Sequence, residues 1–254
     1  QTGGVNTFIG YHAGRNNRAG TYNTTVGFEA GMHATASSNS FFGYQAGKGG
    51  TTSAPYSSGG SNTAVGYSAL KAFTTGGANN AFGYGAGLSI TSGARNVAVG
   101  NNSLDALTTG TNNVAVGVSA LTTADGLERE NIAIGYYAGG LINNDSAIRN
   151  VFVGEYAGYG GTGALNSSVA IGYQALSSTD TNGLSGTIAI GYQAGKSITS
   201  GQYNTIMGYN AGKGITTSDK STIIGYEAVI SSSANNDLVV VGYKAGYNLN
   251  GDDH

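Results

Sequence analysis

Asn113-Val114-Ala115-Val116-Gly117 and, eighteen residues on, Asn131-Ile132-Ala133-Ile134-Gly135 are one five-residue phrase written twice. With the Gly of that phrase as origin, it recurs at Gly10, Gly27, Gly43, Gly66, Gly83, Gly100, Gly117, Gly135, Gly154, Gly172, Gly191, Gly208, Gly225 and Gly242. The spacings are 17, 16, 23, 17, 17, 17, 18, 19, 18, 19, 17, 17 and 17. A period this constant is the mark of a repeat array, whose units cannot bury a face alone and must stack.

The columns around the origin are tighter than the period. One residue before it stands an apolar side chain in every copy; one after it, Tyr in ten; three after it, Ala in thirteen; four before it, Asn in ten. Four after it stands Gly in nine copies and Leu or Val in the rest, and a variable arc with Ile-Thr-Thr-Gly-like turns completes the repeat. Apolar residues at three before, one before, one after and three after follow a period of two, which is a strand and not a helix. Val, Ile, Thr and Tyr also suit a pleated, half-buried surface.

These columns predict an all-β chain: a parallel β-solenoid, or β-roll, of about 14 coils with 17–19-residue repeats, forming one repeat domain over 1–254. Coils about 4.8 Å apart would make a rod of roughly 65–70 Å. Counting alternate residues inward gives an inner ladder of Val65, Val99, Val116, Ile134, Ile171, Ile190, Ile224 and Val241. The Gly beside it permits a bend or an approach too close for a Cβ. The Asn column is expected to stack into an amide ladder at a corner. Position two after the Gly is mostly polar and should face solvent, with His12 over Glu29 and Glu227 over Lys244 as opposite-charge pairs.

Composition supports this reading. Gly supplies 45 of 254 residues, Tyr 17, Pro one and Cys none, and only 9% are charged. A single Pro excludes collagen, and low charge with many aromatics argues against disorder. A net charge of −2 with no basic run gives no footprint for nucleic acid, and no apolar stretch suits membrane insertion. The opening Gln1-Thr2-Gly3-Gly4 is compatible with a processed, secreted end.

Two residues before the Gly, where a monomer should be polar, stand Phe8, Phe41, Ala64, Ala98, Ala133, Phe152, Ala189, Ile206, Ile223 and Val240. A strand apolar on both faces is buried on both faces. One face fills the coil, and the other calls for further copies of the chain, so a homotrimer is expected, with a parallel dimer as the lesser alternative. The runs Asn113–Gly117, Asn131–Gly135 and Ser168-Val169-Ala170-Ile171-Gly172 resemble the head repeats of trimeric autotransporter adhesins. The longer Gly-Tyr-x-Ala-Gly form resembles repeats of phage tail fibres and secreted bacterial fibre proteins. The resemblance implies a left-handed trimeric β-roll at a cell surface, in the extracellular space or on a virion. This chain departs from the adhesin heads in its longer coils and its Tyr column.

Little in the sequence points to catalysis, and no cofactor or metal is expected. The densest acidic cluster, Asp125, Glu128 and Glu130 around Arg129, reads as a solvated turn. His12, His33 and His254 lie in unrelated places without metal-ligand spacing. Contact with a surface glycan or protein receptor is better sought where the repeat is interrupted, since insertions in solenoids become surface loops. The largest is Lys48–Ser61, with Pro55 and Tyr56; others are Asp125–Glu130, Gly140–Arg149, Tyr159–Asn166 and Ser177–Ser185. Candidate contact residues are Lys48, Tyr56, Glu128 and Arg129. The expected role is a non-enzymatic structural or adhesive fibre segment. The alternatives are a phage tail-fibre shaft and an end-to-end polymer built through open terminal strands. An ice-binding face built on Thr74, Thr91 and Thr108 is a more distant one.

Overall fold

The structure, a computed structural model, describes residues 4–51, 53–161, 163, 165–178, 183–231 and 236–249. His254 and parts of the arcs around 52, 162–164 and 179–182 lie outside the described residues. The fold class is the one expected: a parallel β-solenoid, all-β, with no helix among the described residues. The chain forms two compact units, Gln1–Arg129 and Glu130–His254.

The first unit carries β1 (Thr7–Ile9), β2 (Thr24–Val26), β3 (Ser40–Phe42), β4 (Thr63–Val65), β5 (Asn80–Phe82), β6 (Val97–Val99) and β7 (Val114–Val116). Each pairs in parallel with the next, and the register matches column to column, as in Val97↔Val114 and Val99↔Val116. The second unit carries β8 (Ile132–Ile134), β9 (Val151–Val153), β10 (Leu165–Asn166), β11 (Val169–Ile171), β12 (Leu184–Ser185), β13 (Ile188–Ile190), β14 (Thr205–Met207), β15 (Thr222–Ile224) and β16 (Val239–Val241). Here β8, β9, β11, β13, β14, β15 and β16 stack in that order, and β10 pairs with β12 in a separate two-stranded ladder.

Each main strand is three residues long and ends at the origin Gly, which holds a φ between +128° and +140°. A Cβ added to Gly10 would sit 2.5 Å from the carbonyl oxygen of Gly27, and one on Gly83 would sit 2.6 Å from that of Gly100. Backbone of the next coil therefore occupies the space of a side chain, and only Gly satisfies the column. Past the Gly the chain turns through further left-handed residues. The second after it has positive φ, as in Glu29 and Gln193, and so has the fourth, as in Gly31 and Leu104.

These turns reverse the expected inside and outside. The middle residue of each strand, two before the Gly, points into the coil: Ala64, Ala98, Ala133, Phe152, Ala189 and Ile223 are fully buried. The predicted inner ladder faces outward. Val65, Val99, Val116, Ile190 and Ile224 are half-buried, and Ile134, Ile171 and Val241 are exposed, Val241 at 64%. The parity count carried the period of two through the Gly. The strand stops there, and the left-handed residues re-aim the chain so that the buried Ala three after the Gly shares the interior with the residue two before it.

Inside each coil, bulk at one inward position goes with small residues at the others. Where Phe stands two before the Gly (Phe41, Phe152), Gly stands four and seven after it (Gly47 and Gly50; Gly158 and Gly161). A Cβ on Gly47 or Gly158 would run into the ring of Phe41 or Phe152. Where Ala stands two before, the space is taken by Leu70 and Phe73, by Leu104 and Leu107, or by Ile90 alone opposite Gly87, all buried.

The Asn column is a buried ladder, as expected. The Asn79, Asn96 and Asn113 backbone N–H groups donate to the side-chain oxygens of Asn62, Asn79 and Asn96 at 2.9–3.0 Å. The amide nitrogens of Asn62, Asn79 and Asn96 donate across their own coils to the carbonyls of Gly76, Gly93 and Gly110, at 3.0, 2.9 and 2.9 Å. One side chain thus closes its coil and binds the next. In the second unit Ser168 and Thr187 replace Asn, with longer bonds of 3.4 Å to the next backbone N–H.

Two substitution sets test this account. Ala98→Asp should abolish the β spectrum by circular dichroism, because it buries an unpaired charge; Val99→Asp, one residue on, should keep it. Asn96→Ala should lower stability by roughly 2–4 kcal/mol in denaturant titration, since it strands a buried N–H and a buried carbonyl.

Candidate interaction surface

The outward columns build a continuous surface on each unit. Strand residues three and one before the Gly form its aliphatic part, with Ile9, Phe42, Phe82, Ile132, Ile134, Ile171, Ile188 and Met207 all exposed. The residue after the Gly forms an aromatic ladder beside them. In the first unit Tyr11, Phe28, Tyr44, Tyr67 and Tyr84 stack with ring centroids 5.3, 5.2, 4.9 and 5.0 Å apart. In the second, Tyr173, Tyr192, Tyr209, Tyr226 and Tyr243 stack at 5.2, 4.9, 5.2 and 5.4 Å. The planes lie within 15° of parallel. Coil spacing dictates this face-to-face offset, so stacked rings show solvent their edges and hydroxyls.

Asn101 and Val118 interrupt the first ladder. Around Glu155 the aromatic residues shift one place: Tyr137 stacks on Tyr156 at 5.8 Å, and Tyr136 meets Tyr156 edge-on at 5.5 Å. Burial and the neighbouring Tyr136 push the Tyr156 hydroxyl above its usual pKa. The Tyr column was legible as a repeat feature, yet its exposure was hidden by the parity error.

A polar column flanks the rings. Glu29 accepts from Lys48 at 2.8 Å and Gln45 at 2.9 Å, so its partners are these and not the expected His12; the Lys48 bond holds its carboxyl below the usual range. Gln193 donates to Gln174 at 2.8 Å. The expected Glu227–Lys244 pair is present at 3.4 Å, and Glu227 raises the pKa of both Lys244 and Tyr226.

The sequence-predicted contact residues do not converge. Lys48 is tied to Glu29 and borders a groove of about 430 Å³ with Gly49, Gly50, Lys71, Ala72, Leu88 and Ser89. Tyr56 is half-buried, its ring stacked on His33 at 5.8 Å. Glu128, expected in a solvated turn, is buried: its carboxylate accepts from the Gly126 N–H at 2.9 Å and its carbonyl accepts from the Asn113 amide. It is a structural residue, because Asn113 needs that carbonyl to close its coil. Arg129 is exposed. The Thr74, Thr91 and Thr108 column stacks in register, but the Thr91 and Thr108 hydroxyls donate to the carbonyls of Thr108 and Asp125. Among the described residues no group of three His, Asp or Glu side chains could share a metal ion.

His33 has a role the sequence did not suggest. It is buried, its Nδ1 accepts from the Asn16 amide at 2.7 Å, and the 48–61 insertion folds over it through Tyr56 and the buried Ser57. Ser57 in turn accepts from the Thr35 N–H and donates to the Phe73 carbonyl. Compared with known proteins, the chain matches no family model, no curated protein and no solved structure.

Burial, then Lys48, lowers the His33 pKa, with Glu29 opposing and Arg15 adding slightly. A lowered histidine pKa means that the unfolded state binds more protons, so stability rises with pH. The contribution is complete above the unfolded value near 6.5 and is lost as pH falls below it. The melting temperature should therefore drop between pH 7.5 and 5.5, and His33→Gln should flatten that slope.

Proposed function

We propose that this chain is a non-enzymatic structural module of an extracellular, cell-surface or virion fibre, in which three copies associate laterally into a homotrimeric rod. The exposed aliphatic columns carry the reading. Val65, Val99, Ile134, Ile171, Ile190 and Val241 lie on the outer strand face beside the stacked rings, in both units. Monomeric proteins rarely leave an apolar surface of this extent open, and such a surface is ordinarily an association site. It also repeats along each unit, so an identical copy in parallel presents matching columns at every coil.

The same coil grammar in both units supports treating 1–254 as a single repeat domain. The resemblance to adhesin head and fibre repeats supports the trimer over the dimer, and the surface location. Contact with a glycan or protein receptor is assigned to the irregular arcs, where Arg129 and the edge of the Lys48–Lys71 groove are open to solvent.

Light scattering on the purified chain should give about three times its 25.4 kDa mass. Val99→Asp should convert that particle to a folded monomer. A wild-type sample that stays at one chain mass at every concentration rules the reading out.

A further inference from the structure

Five of the eleven Lys and Arg residues stand at one position of the repeat, five after the origin Gly: Arg15, Lys48, Lys71, Lys196 and Lys213. Lys48 and Lys71 lie on adjacent coils, where the Gly49 N–H donates to the Lys71 carbonyl at 3.1 Å. Lys196 and Lys213 are placed in the same way, the Ser197 N–H donating to the Lys213 carbonyl at 3.1 Å. Like charges set opposite one another on neighbouring strands repel. In the first pair Glu29 takes up the Lys48 charge at 2.8 Å, and no acid pairs with Lys71 among the described residues. The acid that follows in this column, Asp105, lies two coils beyond Lys71 and accepts from the Thr122 hydroxyl at 2.6 Å.

The groove of about 430 Å³ beside Lys71 crosses three coils, two spacings or roughly 10 Å along the stack. Its volume is that of a small-ligand cleft. Ala72 and Leu88 supply its apolar wall. The N–H groups of Gly49, Gly50, Ala72 and Ser89 are all spent on carbonyls of the following coil. What the groove offers a ligand is therefore the uncompensated ammonium of Lys71, the hydroxyl of Ser89 and a patch of hydrocarbon.

We infer that this groove binds a carboxylate-bearing sugar, with the acid on Lys71, a ring hydroxyl on Ser89 and the C–H face of the ring against Ala72 and Leu88. The inference rests on the reading that places receptor contact in the irregular arcs, and it narrows that receptor to an acidic glycan. An acidic peptide would bring main-chain groups that need partners, and the main-chain donors of the groove are occupied. A nucleic acid or an anionic lipid surface would need a broader cationic field than one uncompensated charge.

The test is calorimetric titration of the full chain with a galacturonic acid trisaccharide, its methyl ester and triglutamate, at low ionic strength where surface charges are least screened. Wild type should bind the trisaccharide and neither of the others. Lys71→Gln, which keeps most of the stem and removes the charge, should weaken binding about tenfold, the loss of one charge-assisted hydrogen bond. Leu88→Asp should abolish binding with unchanged circular dichroism, since Leu88 is half-buried and its column already carries Asp105. Lys220→Gln, an exposed cation outside the column, should bind as wild type does. The inference is overturned if wild type fails to bind the trisaccharide, if the ester binds equally, or if Lys71→Gln costs no more than Lys220→Gln. Triglutamate binding that Lys71→Gln abolishes would keep the groove as a contact site and strike the sugar. Light scattering on the same samples separates the lateral reading, because a monomer that binds the trisaccharide supports the groove while contradicting the trimer.

Discussion

Backbone of one coil sits where the side chain of the previous coil would be, and the rest of the structure follows from that approach. Within each unit the carbonyl of one origin Gly fills the Cβ position of the Gly before it. This fixes the register absolutely, because a slip by one residue would drive a side chain into backbone. It also ends each strand after three residues, since the Gly φ near +135° is not a strand conformation. Short strands, a strict register and a column of Gly are one constraint seen three ways.

Such a coil is expensive in backbone terms. Non-Gly residues recur at positive φ, including the β-branched Val229 at +49°, and each costs about 1 kcal/mol or more. What offsets the cost is cooperative between coils. The side chain of Val229 is fully buried, and the N–H groups of Glu29, Gln45 and Gln193 bond to the preceding coil's carbonyls. The Asn ladder adds buried amide bonds that a lone coil could not complete, since each Asn needs the next coil's N–H as donor to its oxygen. Stability of this kind is a nearest-neighbour property, as in other repeat arrays.

The period, the parallel stacking, the Gly column and the Asn ladder were all legible in the residues, because each depends on identity repeating at a fixed interval. The inside and outside of the strand were not. Val99 and Ala98 are both apolar, and alternation assigns them correctly only if the strand runs on through Gly100; left-handed turns leave no trace in a parity count. Glu128 was misplaced for a related reason. Its burial follows from a carbonyl that Asn113 requires, a backbone demand that the side chain's charge does not advertise. His33 likewise gained its stacking partner Tyr56 from the longest insertion, whose path over the preceding coil no local pattern encodes.

Reversing the faces strengthens the argument for association. Had the large β-branched column been inside, half of the outward residues would have been Ala, a narrower strip. With Ala, Phe and Ile inside, the outward strip carries Val, Ile and Met beside stacked Tyr, which offers far more area per coil. The Tyr column has a further consequence. Ten rings held within 15° of parallel lose little freedom when covered, because stacking has already ordered them. A surface both apolar and preorganised binds with a smaller entropic penalty than one of mobile side chains. The repeat that folds the coil therefore also shapes the surface proposed to join copies side by side.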